Sequence, residues 1–116
     1  MMDTLSERKR EKNQTFISIT FFFSIHVGGQ RVMKISAKPG WKWSTDIKPL
    51  VGTESCQAKH VGVIVEGSIT CRHDDGSEMT YSAGSAYSIE PGHDAWVNGD
   101  TSAVAYEFHG LWGEKG

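Results

Sequence analysis

The chain has 116 residues, 38% apolar and 22% charged, with a formal charge of −2. That bounds it to one domain with one core, and the charge excludes nucleic acid as the main partner. Two cysteines are too few for a disulfide framework, and no segment reads as a secretory leader or a membrane-spanning helix, so a cytosolic protein with no membrane partner is expected.

Residues 1–15 contain the mixed-charge run Ser6-Glu-Arg-Lys-Arg-Glu-Lys12, which reads as a flexible, solvated terminus. The domain proper is expected over 16–112, with a frayed tail at 113–116. Phe16 to Val27 is strongly apolar and includes Phe21-Phe-Phe23. It falls short of the roughly 20 residues a bilayer-crossing helix needs, and its β-branched and aromatic content favours a strand. Three consecutive phenylalanines put apolar groups on both faces, so both faces are expected to be covered, one of them by another subunit.

Gly28-Gly29 is a turn. A second strand follows, in which Val32, Lys34 and Ser36 alternate with Met33 and Ile35, and Pro39-Gly40 ends it. Trp41 and Trp43 share a face if extended. Their rings either lid the core or wall a ligand pocket. Asp46 to Gly52 reads as a loop. From Thr53 an extended run leads to Glu66, apolar on both faces at Val61-Gly-Val-Ile-Val65, and Glu66-Gly67-Ser68 turns the chain back. Ile69, Cys71 and His73 then share a face, Asp74-Asp75-Gly76 is a hairpin turn, and Glu78 to Ser82 returns.

After a turn at Gly84, Tyr87 and Ile89 alternate with Ser88 and Glu90. Pro91-Gly92 reverses the chain and delivers His93, Asp94 and Trp96. A turn with those three residues at its exit is a good place for a site. Asn98-Gly99-Asp100 is read as another hairpin turn, and Val104, Tyr106 and Phe108 mark the last strand. About eight short strands with regular turns and no convincing helix predict an all-β sandwich or barrel.

Two stretches resemble the cupins: Cys56 to Gly67, and Gly84 to Trp96. Pro39-Gly-Trp-Lys-Trp43, Lys48-Pro-Leu-Val-Gly52 and Pro91-Gly-His-Asp-Ala-Trp96 are similar to small single-domain cupins, and the likeness covers roughly 28–109. The resemblance implies a cupin, jelly-roll-like β-barrel of about eight to ten short antiparallel strands. Cupins range from dioxygenases, isomerases and decarboxylases to storage and ligand-binding proteins. Their two motifs supply three histidines and a glutamate to a metal. Here His60 stands where the family has its glutamate, and Glu54 and Cys56 stand where it has two histidines. Ala95 occupies the last histidine's place, with His93 two positions earlier.

The residues that remain are still metal ligands by type. Glu54, Cys56 and His60 share a parity, so on a straight strand they share a face, and His93 shares the parity of position 95. A displaced metal site at Cys56, His60, His93 and Glu54 is one reading. Its thiolate and imidazoles suit zinc best, while the resemblance suggests iron, nickel or manganese. The other reading has no metal, with Cys56 a small buried hydrophobe and the histidines hydrogen-bonded in an apolar interior. A Cys56–Cys71 disulfide is not expected, because a hairpin at Gly67 sets the two too far apart. Asp94 reads as a turn residue bonded to backbone, and His26, His73 and His109 as peripheral.

Two functions follow. One is a small-molecule-binding barrel whose pocket is walled by Trp41, Trp43, Tyr87, His93, Trp96 and Tyr106, with or without a metal. The other is a metal-dependent enzyme, of dioxygenase or isomerase type, acting on a small organic acid or phenol. The all-apolar strand at Val61–Val65 and the triple phenylalanine predict a homodimer.

Overall fold

Glycine chemistry sets the first turn. Gly28 and Gly29 both take positive φ, 59° and 84°, as a two-residue hairpin requires, and they join β1 (Ile19–Val27) to β2 (Gln30–Ala37). The computed structural model describes residues 19–110 and residue 112, with side chains from residue 24 onward. The expected charged terminus 1–15 and tail 113–116 lie outside the described residues, as do the side chains of Phe21, Phe22 and Phe23.

Six further strands follow: β3 (His60–Glu66), β4 (Ser68–His73), β5 (Glu78–Ser82), β6 (Ala86–Ile89), β7 (His93–Val97) and β8 (Ala103–His109). Every pairing is antiparallel. A five-stranded sheet has the order β1-β2-β8-β3-β6, and a three-stranded sheet the order β5-β4-β7. The two face each other as a jelly-roll-like sandwich, not a closed barrel. The core lies between them. Met33, Ile35 and Ala37 of β2, Ile64 of β3, Ala103 and Ala105 of β8, and Ile69 and Val97 of the small sheet are all buried there. Period-two alternation is what puts these residues on one side.

Three expectations need correcting. The loop expected over Asp46–Gly52 contains helix: α1 (Trp43–Asp46) and α2 (Lys48–Val51) are single turns. Pro49 is tolerated in the first turn of α2, and Gly52 closes it at φ 79°. Helices of four residues are too short to show a 3.6-residue period.

The extended run expected from Thr53 begins as a strand only at His60. Before it, Cys56 makes a single bridge to His93, with Cys56 N–H donating to the His93 carbonyl (2.7 Å) and Gly92 N–H to the Cys56 carbonyl (2.7 Å). The Ser55 hydroxyl donates to Asp74 Oδ2 at 3.0 Å and pins this segment to the β4–β5 turn.

The turns at Gly67 and Gly99 are not hairpins. They carry the chain from one sheet to the other, because β3 and β8 belong to the large sheet and β4 and β7 to the small one. A turn signal marks a reversal without saying which strands pair. The two cysteines are not joined in a disulfide, as expected, but for a different reason. Cys56 bridges His93 on one side of β7, while Cys71 pairs with Ala95 on the other. Two strand spacings, about 10 Å, separate them, beyond the reach of about 7 Å that a disulfide allows.

Candidate metal centre

Three elements bring Cys56, His60 and His93 together. His60 opens β3 on its inward face, and His93 opens β7 directly after the Pro91-Gly92 turn, where Gly92 has φ 91°. The bridge holds Cys56 beside His93. All three are fully buried, and one donor atom from each lies within 4.8 Å of the others. Cys56 Sγ is 3.6 Å from His60 Nε2. On a straight strand residues four apart would be about 13 Å apart, so this closeness exists because the chain bends between 56 and 60.

Both imidazoles present a lone pair to this space. His93 Nδ1 donates to the Glu90 carbonyl at 2.7 Å, which leaves Nε2 bare, and Nε2 is buried with no hydrogen-bond partner. Burial pushes His93 down to about 4, outweighing the Glu90 hydrogen bond, so the ring is neutral at pH 7. His60 Nδ1 donates to Glu107 Oε1 at 3.1 Å, so its Nε2 is an acceptor too. Metal-binding histidines are usually oriented in this way, the second nitrogen donating to a carbonyl or carboxylate.

Glu107 and Trp112 complete the surroundings, and sequence reasoning missed both. Glu107 Oε2 accepts from the Tyr87 hydroxyl (2.6 Å) and from Trp112 Nε1 (2.8 Å). The Trp112 ring stacks on His60, with centroids 3.7 Å apart, and the Trp112 carbonyl accepts from Trp43 Nε1 at 3.1 Å. Gly110 makes this possible. Its φ is 97°, and a Cβ there would strike the Lys59 carbonyl and lie 2.8 Å from His60 Nδ1. The inward face of β8 is Ala103, Ala105 and Glu107, while the bulkier Val104, Tyr106 and Phe108 point away. Two alanines gave no apolar signal to mark the inner face, but the parity of Glu107 was there to be read.

Cys71 is also buried, but its thiol is pushed up to about 12 by desolvation first and then by Glu107, so it stays protonated. Glu54 is not in the cluster. Its side chain is 95% exposed and pairs with Lys48 at 3.4 Å, because the chain is not extended at that point and shared parity fixes no face. Trp96 and Tyr106 point out of the sandwich, alternating with the buried Ala95 and Val97 and with Ala105 and Glu107; Lys42 lies over the Trp96 ring and Lys34 over Tyr106. Trp96 has the opposite parity to His93, so both could not wall one pocket. Asp94 Oδ1 accepts from the backbone N–H groups of Ser44 and Ala95, as expected of a residue bonded to backbone. His73 is nearer than expected, its ring 5.8 Å from that of His93 across the β4–β7 pair, whereas His26 and His109 are exposed.

Trp41 and Tyr87 line a separate cavity of about 30 Å³, together with Ile35, Ile64, Glu107 and Trp112. Trp41 Nε1 has no hydrogen-bond partner. Trp43 is fully buried outside that lining, and His93 belongs to the cysteine–histidine cluster.

Known structures resemble this arrangement of sheets. A protein of unknown function from Vibrio parahaemolyticus is 19% identical with a TM-score of 0.53, covering 75% of this chain and 84% of that one. A cupin-like protein from Thermotoga maritima is 13% identical with a TM-score of 0.50, covering 74% of this chain and 64% of that one. The chain has a cupin fold. A protein of unknown function from Rhizobium leguminosarum, 16% identical with a TM-score of 0.50, covers 74% of this chain and 78% of its own. At these identities the likeness concerns the fold alone. No protein-family model and no curated protein sequence matches the chain. Within this fold the cysteine–histidine cluster can hold a metal ion.

Proposed function

We propose that the protein is a metal-binding cupin whose ion is held by Cys56 Sγ, His60 Nε2 and His93 Nε2. The observation that carries this reading is His93 Nε2, a buried acceptor with no partner, beside two other donor atoms. An unpaired buried polar atom costs about 1–3 kcal/mol, and a bound ion would remove that cost. The spacing also fits. Zinc bonds of about 2.3 Å to sulfur and 2.0–2.1 Å to nitrogen, at a tetrahedral angle, put the two ligand atoms about 3.6 Å apart. The Cys56–His60 distance is 3.6 Å. A thiol hydrogen-bonded to an imidazole has a similar spacing, so the bare His93 nitrogen is what favours the metal. One thiolate and two imidazoles favour zinc over magnesium or calcium.

A small-molecule ligand in the neighbouring cavity would have to be small. About 30 Å³ is room for roughly two waters. Its lining includes the unpartnered Trp41 Nε1, together with Glu107, Tyr87 and Trp112, whose polar atoms bond one another. A metal-dependent enzyme of dioxygenase or isomerase type is the second reading, favoured by the ligand count. Three protein ligands are what catalytic zinc sites use, leaving a fourth position for water or substrate. Bound metal would there supply Lewis-acid polarisation of that fourth ligand.

A homodimer through the outer face of the large sheet belongs to the same proposal. Val61, Val63 and Val65 of β3 lie on that face with Phe108 of β8, and Val65 and Phe108 are 47% and 43% exposed. Sedimentation at micromolar concentration should give the mass of two chains, and a single-chain mass would remove the dimer.

Elemental analysis tests the metal. Protein purified without an affinity tag should carry close to one divalent transition ion per chain, lost in His60→Ala and His93→Ala. No metal as purified, and none retained after incubation with zinc and gel filtration, would refute the proposal.

A further inference from the structure

Glu107 is buried at 1% exposure, and three donors converge on it: the Tyr87 hydroxyl, Trp112 Nε1 and His60 Nδ1. Among the described residues no lysine or arginine pairs with it, and the basic side chain beside it is His60, a hydrogen-bond donor whose other nitrogen is left an acceptor. A carboxylate this deep, next to a thiolate ligand, is costly unless positive charge balances both. This argument rests on the proposed metal centre. From it we infer that Glu107 sets the charge of that centre and thereby selects a divalent ion over a monovalent one.

The count is direct. A divalent ion, the Cys56 thiolate and the Glu107 carboxylate sum to zero. Copper(I), which sulfur and imidazole ligands also suit, would leave one uncompensated negative charge in the same space. Glu107→Gln reverses the balance. Copper(I) with the thiolate is then neutral, and zinc leaves a net positive charge. The substitution keeps the shape that fills the space under Gly62, where a Cβ would lie 2.9 Å from Glu107 Cγ. Glu107 touches no ligand position itself. It acts through His60 and through its charge, and it is therefore a positioning and selectivity residue.

The test is a pair of chelator-competition titrations, zinc(II) in air and copper(I) under anaerobic conditions, on the full chain, Glu107→Gln and Glu107→Asp. Glu107→Gln should bind zinc about 10- to 100-fold more weakly, the usual cost of losing such a supporting group. Its zinc-to-copper(I) affinity ratio should fall at least tenfold. Glu107→Asp keeps the charge while shortening the reach to His60, and it should hold that ratio within about threefold of wild type, on the view that charge and not hydrogen-bond geometry decides selectivity. Equal losses for both ions in Glu107→Gln would overturn the inference and leave Glu107 a structural residue, with the metal centre intact. A collapsed ratio in Glu107→Asp would overturn it too, even if the Gln form does not fold. Wild-type protein that binds neither ion would sink the metal centre and this inference together.

Discussion

His60 and Ile64 lie four residues apart on the same inward face of β3, yet the interior around each is of a different kind. Ile64 stands opposite Ala105, which stands opposite Ile35, and the three make an apolar row across the large sheet. His60 has Cys56, His93, Glu107 and the Trp112 ring around it. The apolar end stabilises the fold by removing surface from water and needs no ligand. The polar end leaves His93 Nε2 without a partner, so part of its stability waits for something to bind. One end holds the sandwich together, and the other carries the cysteine–histidine cluster that can hold an ion.

Four experiments would sharpen or break that contrast. The largest effect is expected from zinc itself. At a thousandfold excess over its Kd it should stabilise the wild type by about 4 kcal/mol, and His93→Ala by almost nothing, as read from urea unfolding with and without the ion. Ile64→Ala should cost about 3 kcal/mol through the cavity it leaves, by the same amount in metal-free and zinc-loaded protein. A loss that depended on zinc would mean the two ends are not separate.

Acid should act on the polar end alone. Folded His93 titrates near 4 against 6.5 in the unfolded chain, so the unfolded state takes up the proton first as pH falls. The stability tied to its neutral ring is therefore complete above about 6.5 and is lost progressively down to about 4, a total of about 3 kcal/mol. Metal-free protein should show that slope in urea unfolding between those values, and His93→Leu should flatten it, whereas an unchanged slope would assign acid sensitivity elsewhere. The smallest effect is expected at Glu54. It lies on the surface, so Glu54→Gln should leave zinc affinity unchanged, and a tenfold loss would return it to the ligand set.

These residues also show what was legible in the sequence. Alternation and glycine turns were enough for eight strands in an all-β sandwich or barrel, since period two and positive φ are local properties, and the resemblance of Cys56–Gly67 and Gly84–Trp96 implied the cupin fold. The structure brings Cys56, His60 and His93 together, but the parity argument that grouped the first two also included Glu54, because it assumed a straight strand where the chain bends. Which strands pair across Gly67 and Gly99 is a long-range matter, and a turn residue carries no information about it. Trp112 was hidden for a similar reason. It lies beyond the last strand, and only Gly110 turning over His60 brings it inside. Glu107 drew no reading, because Val104, Tyr106 and Phe108 carry the apolar signal of β8 while the inner side of that strand is its own.

Cobalt(II) titration of the metal-free protein, followed by optical absorption, tests the central claim most directly. The account predicts a thiolate-to-cobalt charge-transfer band that saturates at about one equivalent and is absent in Cys56→Ser and His93→Ala, as expected of a site using that sulfur and that imidazole. No such band in the wild type, or a band that survives Cys56→Ser unchanged, would contradict it.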